Sequence, residues 1–322
     1  MTSPEELFAG GGATGRLMTG LDWAATPLGP VAGWSQSLRS AVRIVLSSRY
    51  PMLLLWGPQF TQLYNDAYSA LIGDKHPAAL GGDVRVTLAE GWDVLSPLIH
   101  EAMATGIASW VPALRLLLDR SGYREEAYFS VSHAPARDDD GGTVGVLTVC
   151  SEVTDQVVGE RRLSLLRDLS VQGDGRTVDV VDTCARLTGA VGGYPLDVPF
   201  AAVYLRDGDR LRRLAAVGVD AAGAPVGPAL PATVALGDEQ PGDRQPGDRQ
   251  AGDHLLSDRL PDDAWGLRSA AAGTVTEAGD VARRLTVPAG PWDDPVVTAL
   301  ALPLPSAEVE QPLGVLLAGV SP

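Results

Sequence analysis

The 322-residue chain carries 40 acidic against 25 basic residues, a formal net charge of −15 with Lys75 as its single lysine, so a phosphate backbone or an anionic lipid surface would be repelled. Neither nucleic acid nor a membrane is an expected partner. Hydrophobic residues at 45% and charged residues at 20% exclude global disorder, and the length suits two domains, each with a core of its own.

Cys150 and Cys184 lie about thirty residues apart with no CxxC pair, which fits a reducing compartment. The opening MTSPEELFAGGG is acidic where a signal peptide would be basic, and no stretch approaches the roughly 18 apolar residues of a membrane span. The expected location is the cytoplasm.

Residues 1–20 are glycine-rich with little apolar periodicity and read as a flexible lead-in. Gly10, Gly12 and Gly15 satisfy GxGxxG, but no strand precedes them and no acidic ribose ligand follows, so no nucleotide site is expected there. Over 34–48, Leu38, Ala41, Val42, Val45 and Leu46 recur at helical spacing behind Ser35 as a cap. Pro51 ends that helix, the apolar run 52–56 reads as a strand, Gly57-Pro58 turns the chain, and 61–64 form a second strand. Asn65-Asp66 then cap a helix running through Leu71 and closed by Gly73.

A helix over 92–105 places Val94, Leu95, Leu98, Ile99 and Met103 on one stripe. Strands over 109–118, 123–136 and 143–153 follow, separated by the hairpin signals Asp119-Arg120-Ser121-Gly122 and Asp138-Asp139-Asp140-Gly141-Gly142.

WGPQFTQLYNDAYSALIG at 56–73, KHPAALG at 75–81 and Glu152-Val153-Thr154-Asp155 resemble, in order and spacing, a PAS sensory domain over 21–154. That resemblance implies an antiparallel sheet curved around a pocket capped by helices. Its lining would include Leu55, Tyr68, Trp92, Leu95, Ile99, Phe129 and His133, together with Leu53, Val131 and Val146; the alternative is a core packed solid that transmits signals through partners alone. It also implies that the Glu-Val-Thr-Asp step anchors the sheet to an output helix, with Glu152, Thr154, Asp155, Val158 and Leu165 coupling the two. Along a connecting helix over 155–172, Thr154, Val158, Leu165 and Leu169 lie within about 40° of one line, interrupted by Arg162. Such a line suits a two-helix seam and hence a homodimer; the alternative is a linker helix packed on its own domain.

Beyond the break at 172–175, a helix over 177–191 directs Val180, Val181, Cys184 and Leu187 inward. Strands over 200–206 and 211–217 are joined by Asp207-Gly208-Asp209, and further strands fall at 296–304 and 313–319. With FAAVYLRDGDRLRRLAAVG at 200–218, this order resembles a GAF domain over 173–322, lacking its final helix. Three near-copies, QPGDR, QPGDR and QAGDH at 240–254, have no apolar face to stack and read as an expanded loop within an insertion over 237–254.

Catalytic signatures are missing. His100-Glu101 would need a second histidine where Ala104 stands to make a zinc HExxH, and the Thr-Pro of a kinase phosphoacceptor box does not follow it. His254 with Asp253 and Asp248 has nothing to fix a metal geometry, and no Walker loop or GxSxG elbow occurs. His76 completes the four histidines. Haem and flavin are not expected, any cofactor is left unknown, and both cysteines read as buried small hydrophobes.

The fold class is α+β, two domains each with a central antiparallel sheet and flanking helices. The resemblance implies a non-enzymatic input module of a bacterial histidine-kinase type signalling protein, with a homodimer, an output kinase or phosphatase domain and a small-molecule ligand as partners. Alternatives are a stand-alone PAS/GAF interaction protein or the truncated input region of a sporulation-type serine phosphatase.

Overall fold

The computed structural model describes residues 3–119, 124–172, 179–219, 230–237, 263–285, 287, 295–306 and 310–321. The chain divides into two units, Met1–Val158 and Gly159–Pro322, each α+β with one antiparallel sheet.

In the first unit the elements are α1 (Pro4–Phe8), α2 (Gly12–Gly20), α3 (Gln36–Ser47), β1 (Met52–Trp56), β2 (Thr61–Tyr64), α4 (Asp66–Ile72), α5 (Val84–Thr87), α6 (Trp92–Thr105), β3 (Ser109–Asp119), β4 (Arg124–Arg137) and β5 (Thr143–Glu152), followed by the start of α7 (Thr154–Gln172). The sheet order is β2-β1-β5-β4-β3, so the first hairpin and the closing meander meet along β1 and β5. Leu53, Leu54 and Leu55 are all buried, which means both faces of β1 are covered and explains a strand written as a continuous apolar run. Leu38, Val42, Val45 and Leu46 form the buried stripe of α3, whose first turn is capped by the Ser35 hydroxyl accepting from the Leu38 N–H at 3.2 Å.

Asn65 ties three elements together. Its Oδ1 accepts from the N–H groups of Met52 (3.1 Å) and Tyr68 (3.0 Å), and its Nδ2 donates to the carbonyls of Ser48 (3.1 Å) and Tyr50 (2.8 Å).

The expected loose lead-in is instead helical and packed. Ser3 and Glu6 cap α1 reciprocally with Pro4 at its first position, and Leu7, Phe8 and Met18 are buried, Phe8 against the rings of Trp23 and Trp34. Two of the three glycines serve this packing. Gly12 has φ +65° beside the Asp66 carboxylate, leaving no room for a side chain, and a Cβ on Gly15 would lie 2.6 Å from the Phe8 carbonyl. Asp66 accepts from the N–H groups of Ala13 (2.9 Å) and Thr14 (2.6 Å), so a residue of α4 caps α2 from more than fifty positions away.

The second unit contains the rest of α7, then α8 (Val180–Gly192), β6 (Ala201–Asp207), β7 (Arg210–Val217), β8 (Thr233–Ala235), α9 (Leu267–Ala271), β9 (Thr276–Ala278), β10 (Thr298–Leu304) and β11 (Gly314–Val320). Its six strands run in the order β8-β7-β6-β11-β10-β9. Helix α8 packs on β6 and β7 through Cys184, Thr188 and Val191. Val180 and Val181, expected inward, are exposed because they occupy the first turn, immediately after the Asp179 cap. The pentapeptide copies at 240–254, with His254, lie outside the described residues, as does nearly all of the insertion expected over 237–254.

Candidate functional site

Alternation along the strands of the first unit puts Leu53 of β1, Phe129, Val131 and His133 of β4, and Thr148 and Cys150 of β5 on one face. Over that face lie Tyr68 of α4 and Leu95 and Ile99 of α6, and between them is a cavity of about 60 Å³. The register sets His133 directly opposite Thr148 and Val131 opposite Cys150, so His133, Thr148 and Cys150 share one patch of sheet, with Tyr68 above it on α4.

Of the residues expected to line a pocket, Tyr68, Leu95, Ile99, Phe129 and His133 do so, as do Leu53 and Val131. Leu55, Trp92 and Val146 do not. Leu55 and Val146 are fully buried in the core, paired across β1 and β5 away from the cavity. Trp92 is half-buried and packs on Phe60, ring centroids 5.8 Å apart, and on His100 at 6.3 Å. Thr148 and Cys150 were not anticipated, although their alternation with Val146 along one strand was the available signal.

The lining holds its polar groups neutral. His133 is 1% exposed, with Nδ1 3.3 Å from the Ser109 hydroxyl, and burial lowers its pKa to about 4. Burial pushes the Cys150 thiol up to about 12 and raises the Tyr68 phenol as well. The Thr148 hydroxyl is buried with no hydrogen-bond partner. A cavity that admits benzene measures about 150 Å³, so the volume here is far below that of a flavin ring system or a haem. Among the described residues no cluster of three His, Cys, Asp or Glu could hold a metal ion, and no helix is long and apolar enough to cross a membrane.

The expected coupling residues stand where sheet becomes helix. The Thr154 hydroxyl accepts from the Tyr128 N–H at 2.9 Å and donates to the Glu152 carboxylate at 2.9 Å, while the Val153 N–H donates to the Tyr128 carbonyl at 2.8 Å. Asp155 is exposed in the first turn of α7, where a negative charge favours the helix N-terminus. Val158 and Leu165 are half-buried.

Within the second unit, α7 is fixed by Arg161, whose Nε and Nη2 donate to Asp197 at 2.6 and 3.1 Å, and by Asp168, which accepts from the Tyr194 hydroxyl at 2.6 Å. Leu165 follows Arg161 by one helical turn, so the line expected to form a seam lies on the side of this ion pair. Leu163 and Leu166, exposed at 61% and 60%, lie roughly opposite that line on the helix, and Val171 is exposed at 67% in its last turn.

No protein-family model matches the chain, and no curated protein matches it. Among solved structures it is similar to a Rhodobacter sphaeroides LOV protein, at 17% identity over 43% of this chain and 79% of the other, with a TM-score of 0.31. It is also similar to a sensory box sensor histidine kinase from Vibrio cholerae, at 16% identity over 36% of this chain and 90% of the other, TM-score 0.26. A PAS domain from Colwellia psychrerythraea aligns at 13% identity over 37% of this chain and 98% of the other, TM-score 0.30.

Proposed function

We propose that the first unit is a PAS-type sensory domain and that the chain is a non-catalytic input module of a bacterial signal-transduction protein. The observation that carries this reading is the sheet order β2-β1-β5-β4-β3 closed over a cavity, with β4 clasped to the start of a long helix through Thr154. Occupation of the cavity would favour one arrangement of β4 and β5, and the Thr154 clasp would pass that bias to α7 as a population shift. For the second unit the order β8-β7-β6-β11-β10-β9, with α8 against β6 and β7, favours the GAF-like reading.

A histidine-kinase type output fits a helix leading away from a sensory sheet, and an output serine phosphatase or a free-standing interaction protein are the alternatives. We place the module in the cytoplasm as a homodimer paired along α7, a second copy of the chain covering Leu163 and Leu166. Gly159, Leu163, Leu166 and Ser170 follow the 4-3-4 spacing of a two-helix seam.

The test is hydrogen exchange on the full chain with the cavity filled by Cys150→Leu, alone and combined with Thr154→Val. Filling the cavity should alter protection in β4, β5 and the first turns of α7, and Thr154→Val should abolish only the α7 response. An α7 that never responds while the strands do would reject the coupling.

A further inference from the structure

Resting on the sensory reading above, we infer that the cavity of the first unit takes a small neutral oxygen compound, an alcohol or a carbonyl of about three to five non-hydrogen atoms, anchored at the Thr148 hydroxyl beside His133.

Size sets the first limit. One water needs about 10–15 Å³ on the same measure, so 60 Å³ holds a handful of heavy atoms and nothing aromatic. Charge sets the second. None of the residues around the cavity is Asp, Glu, Lys or Arg, and a buried ion without a partner would be strongly disfavoured. The third limit is one buried hydroxyl without a partner. Leu95, Ile99, Phe129 and Val131 offer carbon surface, whereas Thr148, 5% exposed, brings a hydroxyl with no partner in the protein. A buried hydroxyl is disfavoured until something accepts from it or donates to it, and a ligand oxygen does either. His133, facing Thr148 across the β4–β5 pair, is spared charge by burial and adds a neutral imidazole next to the same spot. A lone water would satisfy the hydroxyl but leave most of such a space without contacts.

Acetone, 1-propanol and xenon are the probes, followed by methyl-resolved NMR on the full chain. Acetone and 1-propanol should shift the methyls of Leu95, Ile99 and Val131, with intermolecular NOEs from the acetone methyls to Thr148. Thr148→Val, which keeps the shape and removes the hydroxyl, should weaken both by about tenfold while xenon uptake is retained. If Thr148→Val takes up acetone as well as the wild type, the anchor is refuted while the sensory reading stands. Xenon entering without acetone or 1-propanol refutes the ligand class in the same way. If none of the three enters, the space is closed and the ligand-sensing reading falls with it. Should Thr148→Val fail to fold, the wild-type NOEs decide: acetone bound with no NOE to Thr148 overturns the inference.

Discussion

Thr154 accepts the backbone N–H of Tyr128 at 2.9 Å, so the first residue of α7 closes the hydrogen-bonding of a strand 26 positions earlier. Replacing it by valine conserves shape and leaves that N–H without its acceptor, a loss of about 1 kcal/mol. Amide exchange at Tyr128 and in the first turn of α7 should accelerate in Thr154→Val and stay slow in Thr154→Ser. Unchanged protection at Tyr128 in the valine variant would show that the clasp is not what holds the junction.

Asp66 is expected to be the latch for α2. Partial burial works against its ionisation, but the hydrogen bonds from Thr14 and Ala13 outweigh this and hold the carboxyl below its ordinary value. The stabilisation is therefore complete above the usual carboxylate range and fades as pH drops through the lowered folded-state value. Asp66→Ala should cost about 1 kcal/mol, and Gly12→Ala should release the same contact. Both variants should be cut faster by proteases between α1 and α2; equal cutting of wild type and variants counts against a latch.

Acid should destabilise the first unit through His133. Its folded-state pKa of about 4 lies below the unfolded value near 6.5, so the unfolded chain binds the extra proton between those limits. Stability is full above about pH 6.5 and falls as pH drops toward 4, by roughly 3 kcal/mol at most. Denaturant melts of wild type and His133→Leu across this window should show the slope only in the wild type, after allowing for the carboxylates common to both.

Asn65→Ala should be a severe change in the first unit, costing about 3 kcal/mol, because two N–H groups and two carbonyls lose its side chain as a partner at a position 2% exposed. Asn65→Asp keeps the acceptor but sets a charge against the carbonyls of Ser48 and Tyr50, so it should fare no better than alanine in equilibrium unfolding.

Leu163→Glu combined with Leu166→Glu should convert a dimer into monomers in sedimentation velocity without lowering the melting temperature of the isolated fold, since both side chains are exposed. The matching pair Val158→Glu and Leu165→Glu should instead destabilise the chain. A wild type that sediments as a monomer removes the α7 pairing altogether.

The elements best read in advance were those punctuated locally. Pro51, Gly57-Pro58 and the Asn65 cap bound β1, β2 and α4, and Gly106 in a left-handed conformation stops α6 where the stripe ends. Helices α1 and α2 went unseen because each is short and α2 is capped by a distant carboxylate that no window of sequence contains. The strands β8 and β9, three residues each, are too brief to show alternation. At the cavity, a period of two told which face Leu53 and Leu55 share but not how far along the strand the space extends. On α7, spacing drew a line through Val158 and Leu165 without revealing that Asp197 draws Arg161, and with it that side of the helix, onto the protein.

The short helix α4 has two occupations at residues two positions apart: Asp66 grips α2, and Tyr68 faces the cavity. On the proposed sensory reading, load placed on the amino-terminal helices would reach the pocket wall through α4, and a molecule seated in the pocket would reach the amino terminus by the same path. On that reading the first unit would have a second handle besides α7, worked by a single carboxylate.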